Sequence, residues 1–431
     1  MKKTIFGCLG VAAVAFALQF TMANVQAGLF SNCLPCDEVA CSPCDDAACD
    51  PCDAVCGTKA GKWFINGHME AGFFANEYGQ KSTYAGNNWV LSRGADTLSG
   101  NTALLQNTRL TGAQINQVYV STGKKVDGRH GLDIGGTVDF TWGSDAYVVQ
   151  SAGMEYNTGH GTPGYSWGTG DYYAAFAQAY FEAEYGRWNV KAGKFYAPFG
   201  SSHCKSTENF FYSWAQSAFI VPHTASGMYA TYKVNNRLSV LGGWIAPEEF
   251  GESGDNNAFL GGFTWTPGKR FSLSYTFASG TDKYGDGAYN RYWRSRGYTD
   301  KDEYFVHTLL ATTQISSRLK YNFEWTLLNV NYSDGTGYEE HDAAYALNNE
   351  FIYQANKRWA FGARFGVLNI SDVDWYTVSL GANWTPNKWL VVKPELRYDW
   401  VEKNTATPFN NYKGNGERDQ LSGGMSAVVK F

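Results

Sequence analysis

Seven cysteines crowd into 24 residues near the N-terminus of this 431-residue chain: Cys33, Cys36, Cys41, Cys44, Cys49, Cys52 and Cys56. They follow a short repeat, Cys33-Leu-Pro-Cys36-Asp, Cys41-Ser-Pro-Cys44-Asp and Cys49-Asp-Pro-Cys52-Asp. Paired C-x-x-C knuckles can give zinc a tetrahedral thiolate shell. In an oxidising compartment the same thiols form disulfides instead. Met1 to Ala27 decides the compartment: Lys2 and Lys3 precede an apolar stretch from Ile5 to about Phe20, and Val25-Gln-Ala27 fits a small-x-small cleavage site. That is the pattern of a secretory signal peptide, so the tract is read as a disulfide-linked tether, with metal binding or an unpartnered tail as the other readings. An odd number of thiols leaves one for Cys204 or for another chain. The tract has too few apolar residues to fold around a core of its own.

Catalytic chemistry finds little to work with. The seven histidines are His68, His130, His160, His203, His223, His307 and His341. His341-Asp342 resembles half a dyad and His203-Cys204 a thiol–imidazole pair, but adjacent residues rarely orient one another, and no G-x-S-x-G nucleophile motif occurs. Gly159-His-Gly-Thr-Pro-Gly164 matches G-x-G-x-x-G, yet it sits in a Gly/Tyr/Ser stretch with Pro163 and no following helix, so a dinucleotide context is missing. The chain is read as neither an enzyme nor a cofactor carrier.

Composition points elsewhere. Aromatic residues make up 16% and there are 48 glycines, while charged residues are only 17%, against about 25% in an average soluble domain. A mean hydropathy of −0.35 excludes a polytopic helical membrane protein. Setting aside the leader and the acidic cysteine tract leaves 33 Lys and Arg against 34 Asp and Glu over 58–431. No clustered basic excess exists to hold nucleic acid.

From Trp63 onward the dominant period is two. In Leu132 to Trp142, the side chains of Leu132, Ile134, Val138, Phe140 and Trp142 share one face, while Asp133, Thr137, Asp139 and Thr141 share the other. Near Trp389 the polar face carries Lys393, Glu395, Arg397 and Asp399 against Leu390, Val392, Leu396, Tyr398 and Trp400. Four charges in a row require water on their side, and the aromatic face requires something apolar. Strands are expected at 63–76, 113–124, 131–142, 173–185, 187–196, 227–234, 237–246, 258–266, 270–280, 303–315, 318–331, 343–355, 358–369, 375–385, 388–401 and 418–431. Short turns at 125–130, Gly186, 235–236, 267–269, 316–317, 356–357 and 386–387 alternate with longer connections at 77–112, 143–172, 197–226, 247–257, 281–302, 332–342, 371–374 and 402–417. This is the pattern of a transmembrane, antiparallel up-and-down β-barrel of about 16 strands, an all-β fold, and a Greek-key sandwich has no reason to alternate so regularly. Trp188, Trp265, Trp359, Trp384 and Trp389 track the short turns and read as a girdle at the lipid headgroups. The organisation is therefore a signal peptide at 1–27, a periplasmic cysteine tract at 28–61 and an outer-membrane barrel at 62–431.

The third long connection is the most specific stretch. Lys191-Ala-Gly-Lys-Phe-Tyr-Ala-Pro-Phe-Gly200 resembles the G-x-F-x-x-P-F-G element of OmpL-like β-barrel porins, a family with kinship to phosphate-selective porins. Glu208-Asn-Phe-Phe-Tyr-Ser213 and Pro222-His-Thr-Ala-Ser-Gly227 are similar to the same family's pattern, and the terminal Phe431 resembles the closing residue of bacterial outer-membrane barrels. The resemblance implies passive diffusion of small hydrophilic solutes or ions, with outer-membrane lipid as surroundings, and leaves a homo-oligomer open, since trimers are common among sixteen-stranded porins while related OmpL-like barrels need not follow. In general porins the third loop narrows the lumen, and here Phe195, Phe199, Phe210, Phe211, Tyr212, Trp214 and Phe219 are too many rings for a loop left in solvent. They can pack on the inner wall and present Lys194, His203, Lys205, Glu208 and His223 to the pore; a cap over the barrel mouth or a subunit contact is the other placement. Charge rings set pore selectivity, but the loop and the lumen-facing Asp133, Asp139, Lys393, Glu395, Arg397 and Asp399 carry both signs. The alternative to a porin is a structural envelope barrel with a plugged lumen, cross-linked to a disulfide partner through its cysteine tract.

Overall fold

Alternating sequences leave one apolar and one polar face on every strand, and a sheet made of them is stable only when each face meets its own medium. The computed structural model describes residues 63–77, 112–156, 167–169, 171–247, 250, 257–282, 302–333, 339–370, 373–401 and 419–431. The leader, the cysteine tract and the Gly159–Gly164 motif lie outside them, as do the side chains of His341 and Asp342.

The strands are β1 (Trp63–Asn76), β2 (Gly112–Lys124), β3 (Asp133–Gly143), the two-residue β4 (Gly168–Thr169), β5 (Tyr172–Tyr185), β6 (Trp188–Tyr196), β7 (Thr224–Lys233) and β8 (Leu238–Pro247). They continue as β9 (Asn257–Gly268), β10 (Phe271–Asp282), β11 (Asp302–Gln314), β12 (Leu319–Ser333), β13 (Glu339–Gln354), β14 (Trp359–Ile370), β15 (Val373–Asn387), β16 (Leu390–Val401) and β17 (Asp419–Lys430). With β4 a short appendage to β5, sixteen long strands pair antiparallel with their sequence neighbours, and β1 pairs with both β2 and β17. The sheet closes into a barrel with no free edge. The last residue takes part in the closure: Phe431 and Gly67 exchange two backbone hydrogen bonds of 3.0 Å. A Cβ on Gly67 would run into the Phe431 ring and the Tyr119 carbonyl, so the terminal ring lies where only glycine leaves room.

The two faces are inverted relative to a water-soluble protein. On β16, Leu396 is 51% exposed while Arg397 and Asp399 are fully enclosed. Ile134, Phe181, Met228, Trp244, Phe361, Leu380 and Met425 are likewise exposed outward, and such a band is what lipid tails stabilise. All sixteen expected segments are present. Most of the long connections are shorter than the sequence pattern implied, two of them markedly. β12 and β13 run on to pair Tyr332 with Glu340 and Ser333 with Glu339, and β14 and β15 leave only residues 371–372 between them. The reason is physical: above the membrane a ladder needs backbone pairing but no apolar alternation, so polar residues continue a strand that a hydrophobic pattern cannot reveal.

Leu380 is 56% exposed in the middle of β15. Its replacement by Arg is expected to cost about 2–4 kcal/mol of folding free energy into lipid vesicles, read by denaturant titration. An unchanged midpoint would show that this face does not meet lipid.

Candidate functional site

The chain between Tyr196 and Thr224 is the third long connection, and it lies inside the barrel. Its entry explains the G-x-F-x-x-P-F-G element. Phe195 and Phe199 are buried in the apolar cluster with Ile220, Val221 and Ile245. Gly200 has φ +72, a left-handed conformation that disfavours any side chain, and a Cβ there would also press on Val221 at 3.2 Å. This turn delivers Ser201, whose backbone N–H (3.1 Å) and hydroxyl both donate to Glu324 of β12. Ser217 donates to the same carboxylate at 2.9 Å from the other end of the loop.

The middle of the loop reaches a second carboxylate. Glu395 on β16 accepts the Ser213 N–H and hydroxyl, both at 2.7 Å. Arg364 on β14 donates to Glu395 at 3.1 Å and to the Ser213 carbonyl at 2.9 Å, and its guanidinium lies 4.5 Å from the Phe211 ring centroid. Arg397 pairs with Asp399 at 2.8 Å and donates to Ser213 Oγ and the Trp214 carbonyl. Lys393 donates to the carbonyls of Ser206 and Asn209 at 2.5 and 2.6 Å. The row Lys393, Glu395, Arg397 and Asp399 thus faces the interior, where it meets the loop rather than water. Three rings seat the same stretch. A Cβ on Gly362 would collide with the Phe210 ring, one on Gly381 would meet Phe211 at 3.0 Å, and Tyr212 donates to Asn116 at 2.9 Å.

A third anchor lies on β1–β3. Gln117 donates to the Cys204 carbonyl at 2.8 Å, accepts from the Ser206 N–H at 3.1 Å, and shares a hydrogen bond with His68 at 2.9 Å. Asp139 is fully enclosed and accepts from Tyr119, Ser121 and Gln178. Lys205 comes within 3.2 Å of Asp139, with its ammonium 5.1 and 5.8 Å from the ring centroids of Tyr119 and Tyr196. Asp133 is placed elsewhere, at the turn end of β3, where Lys124 donates to it at 2.5 Å.

The five residues expected to face the pore therefore separate. Lys194 is completely enclosed: it pairs with Glu155 of the second long connection at 2.8 Å and donates to the Val149 carbonyl at 2.9 Å. His223 meets the Trp214 ring edge to face, with centroids 5.0 Å apart. His203 and Glu208 lie 3.3 Å apart with half-exposed side chains, and Lys205 keeps partial exposure beside them. Cys204 is half-buried in the loop; its Sγ stands 3.9 Å from the His223 carbonyl, while the His203 ring is turned toward Glu208. The five tryptophans Trp188, Trp265, Trp359, Trp384 and Trp389 lie at the turn rim and are exposed. Glu324, Arg364, Gln117 and Glu155 were not singled out from sequence. The available signal was an isolated polar residue at the inward parity of an alternating strand, as in Asn322-Phe-Glu-Trp-Thr326.

The family described as "Putative beta-barrel porin-2, OmpL-like" matches residues 65–431. A search of curated proteins finds no matching relative. Among solved structures, the chain is similar to an anion-selective porin from Comamonas acidovorans, with TM-score 0.57, 9% identity, and coverage of 86% of this chain and 100% of that one. It is also similar to the outer membrane channel DcaP of Acinetobacter baumannii, with TM-score 0.55, 11% identity, and coverage of 87% and 99%. OmpT of Vibrio cholerae in its trimer form gives TM-score 0.52 at 12% identity, with coverage of 86% and 100%. At such identities the likeness concerns the fold.

Replacing Glu395 by Ala removes the carboxylate shared by Ser213 and Arg364 and is expected to cost about 3–5 kcal/mol. The measurement is amide hydrogen exchange at Ser213, which should accelerate strongly. Unaltered protection there would show that this clamp does not hold the loop.

Proposed function

The chain belongs to the OmpL-like β-barrel porin family, and on that premise we propose that it is an outer-membrane porin through which small hydrophilic solutes or ions diffuse passively. The observation that carries the reading is the loop between Tyr196 and Thr224. It crosses the interior of a closed barrel and leaves His203 and Glu208 with half-exposed side chains and Lys205 partly exposed beside them. A loop so placed narrows the passage, and the groups still open to water set the local potential that a permeating ion meets. Lys205 is the cation of this set, and the rings of Tyr119 and Tyr196 hold its position. Transport of this kind needs no cofactor, because solutes move down their own gradient.

The test is single-channel conductance of the protein from Gly28 onward, refolded into a planar bilayer under a salt gradient. Discrete, stable steps support the porin reading; a folded barrel that stays electrically silent overturns it. In Lys205→Glu the reversal potential is expected to move toward cation preference without loss of the open channel.

The remaining expectations are carried forward as part of the same proposal. Residues 1–27 are a cleaved leader, and the tract at 28–61 is a periplasmic, disulfide-linked tether, with a homo-oligomer in the bacterial outer membrane as the working assembly. Reducing agent should change the gel mobility of the mature protein. Unchanged migration with all tract thiols titrating would remove the disulfide reading and favour metal.

A further inference from the structure

The short turns that join β5 to β6, β7 to β8, β9 to β10, β11 to β12, β13 to β14 and β15 to β16 comprise residues 186–187, 234–237, 269–270, 315–318, 355–358 and 388–389. They contain eight basic residues and no acidic one. In five of the six, the last residue before the next strand is an arginine: Arg187, Arg237, Arg270, Arg318 and Arg358. The sixth carries Lys388. The backbone keeps these positions equivalent. Each arginine carbonyl accepts an N–H from the neighbouring hairpin, of Lys233, Thr266, Gln314, Gln354 and Thr385 in turn, at 2.7–2.9 Å. Asn235, Ser316 and Asn356 also accept the backbone N–H of the arginine two residues on. Adjacent turns stand two strands apart, so the cations recur about every 10 Å around this end of the barrel.

All eight basic side chains are exposed, and among the described residues none pairs with a carboxylate. Arg187 donates instead to the Val234 carbonyl of the next turn at 3.1 Å. The charge is also sided, for Glu77, Glu303, Asp374 and Asp419 lie at the opposite strand ends. Like charges repeated at this spacing repel one another, and the turns supply no counter-charge. The anion must come from outside. A partner protein would meet a charged patch on one side. This band instead follows the perimeter, one residue beyond the exposed rings of Trp188, Trp359 and Trp389. That is where the headgroups of the surrounding lipids lie.

We propose that this band binds anionic glycerophospholipids in preference to zwitterionic ones, about one headgroup per hairpin, in the leaflet on the turn side, which in such barrels faces the periplasm. The proposal rests on the membrane placement of the barrel and is independent of whether the barrel conducts.

The test inserts the mature protein into phosphatidylcholine vesicles and reads quenching of its tryptophan fluorescence by brominated phosphatidylglycerol or brominated phosphatidylcholine at equal mole fraction. Phosphatidylglycerol is expected to be preferred about fivefold, and the preference should fade in about 1 M salt. Arg237→Gln, Arg270→Gln, Arg318→Gln and Arg358→Gln together should remove most of it, while Glu303→Gln at the other end should leave it unchanged. Should the fourfold variant not fold, Lys357→Gln with Arg358→Gln is expected to lower the preference in part. Equal quenching of the wild type by the two lipids, or a preference of full size after loss of the four arginines, would overturn the proposal. Equal quenching together with binding of soluble polyglutamate would assign the band to an acidic protein instead. Quenching by neither lipid would overturn the membrane placement itself.

Discussion

No backbone N–H or C=O can face lipid tails unpaired without a cost of several kcal/mol, and this one constraint organises the molecule. It forces the sheet to close, so β1 must find β17 at the far end of the chain, and the final residue must complete the seam with Gly67. Closure then fixes which face of every strand is which. The apolar residues face outward to the tails, and the interior receives the polar half of each alternation. Charges that would be costly in an ordinary core are cheap to place there, because the enclosed space can hold water, counter-charges or folded chain.

In this protein much of that space holds folded chain. Ordering the loop between Tyr196 and Thr224 costs roughly 1–2 kcal/mol per residue in backbone entropy alone, so no single contact can keep it inside. Two kinds of interaction share the work. Aromatic rings bury against positions where the wall has glycine, at Gly362 and Gly381, and buried carboxylates collect paired N–H and O–H donors from the loop serines. The first kind supplies most of the free energy and tolerates sliding. The second supplies register, because Glu395 and Glu324 can each be satisfied only when a particular serine arrives.

The barrel was legible in sequence because its signal is repeated sixteen times: a period of two survives errors at any one strand. Even there, the polar extensions of β12 and β13 escaped, since pairing above the membrane leaves no trace in hydropathy. The loop was legible as a whole through its excess of rings and its G-x-F-x-x-P-F-G entry. The roles of its individual charges were not. Lys194 and Lys205 are eleven residues apart in one motif region and identical in type, yet one is sealed against Glu155 and the other keeps water contact over two tyrosines. What separates them is a residue far away in sequence, supplied by the second long connection, and no local pattern encodes it. Arg364 and Glu324 escaped for a related reason, as each is a lone charge on a strand whose significance comes from the loop folded over it.

Sorting charges by whether they are already spent leads to a general reading of such interiors. A buried ion pair with its hydrogen-bond capacity filled, such as Arg397 with Asp399 or Lys194 with Glu155, adds little net stability over an apolar pair, but it is intolerant of losing one member. It acts as a positional device, and its field is largely cancelled within a few ångströms. A charge that keeps water on one side is screened less completely by its partner and stays visible to a passing ion. By that criterion the long charged row on β16, the most conspicuous feature of the sequence, belongs to the architecture. The modest trio His203, Lys205 and Glu208 keeps side-chain exposure once the loop has docked. Charge density along a strand is therefore a poor guide to selectivity in a barrel whose loop folds inward; exposure remaining after the loop has docked is the better one.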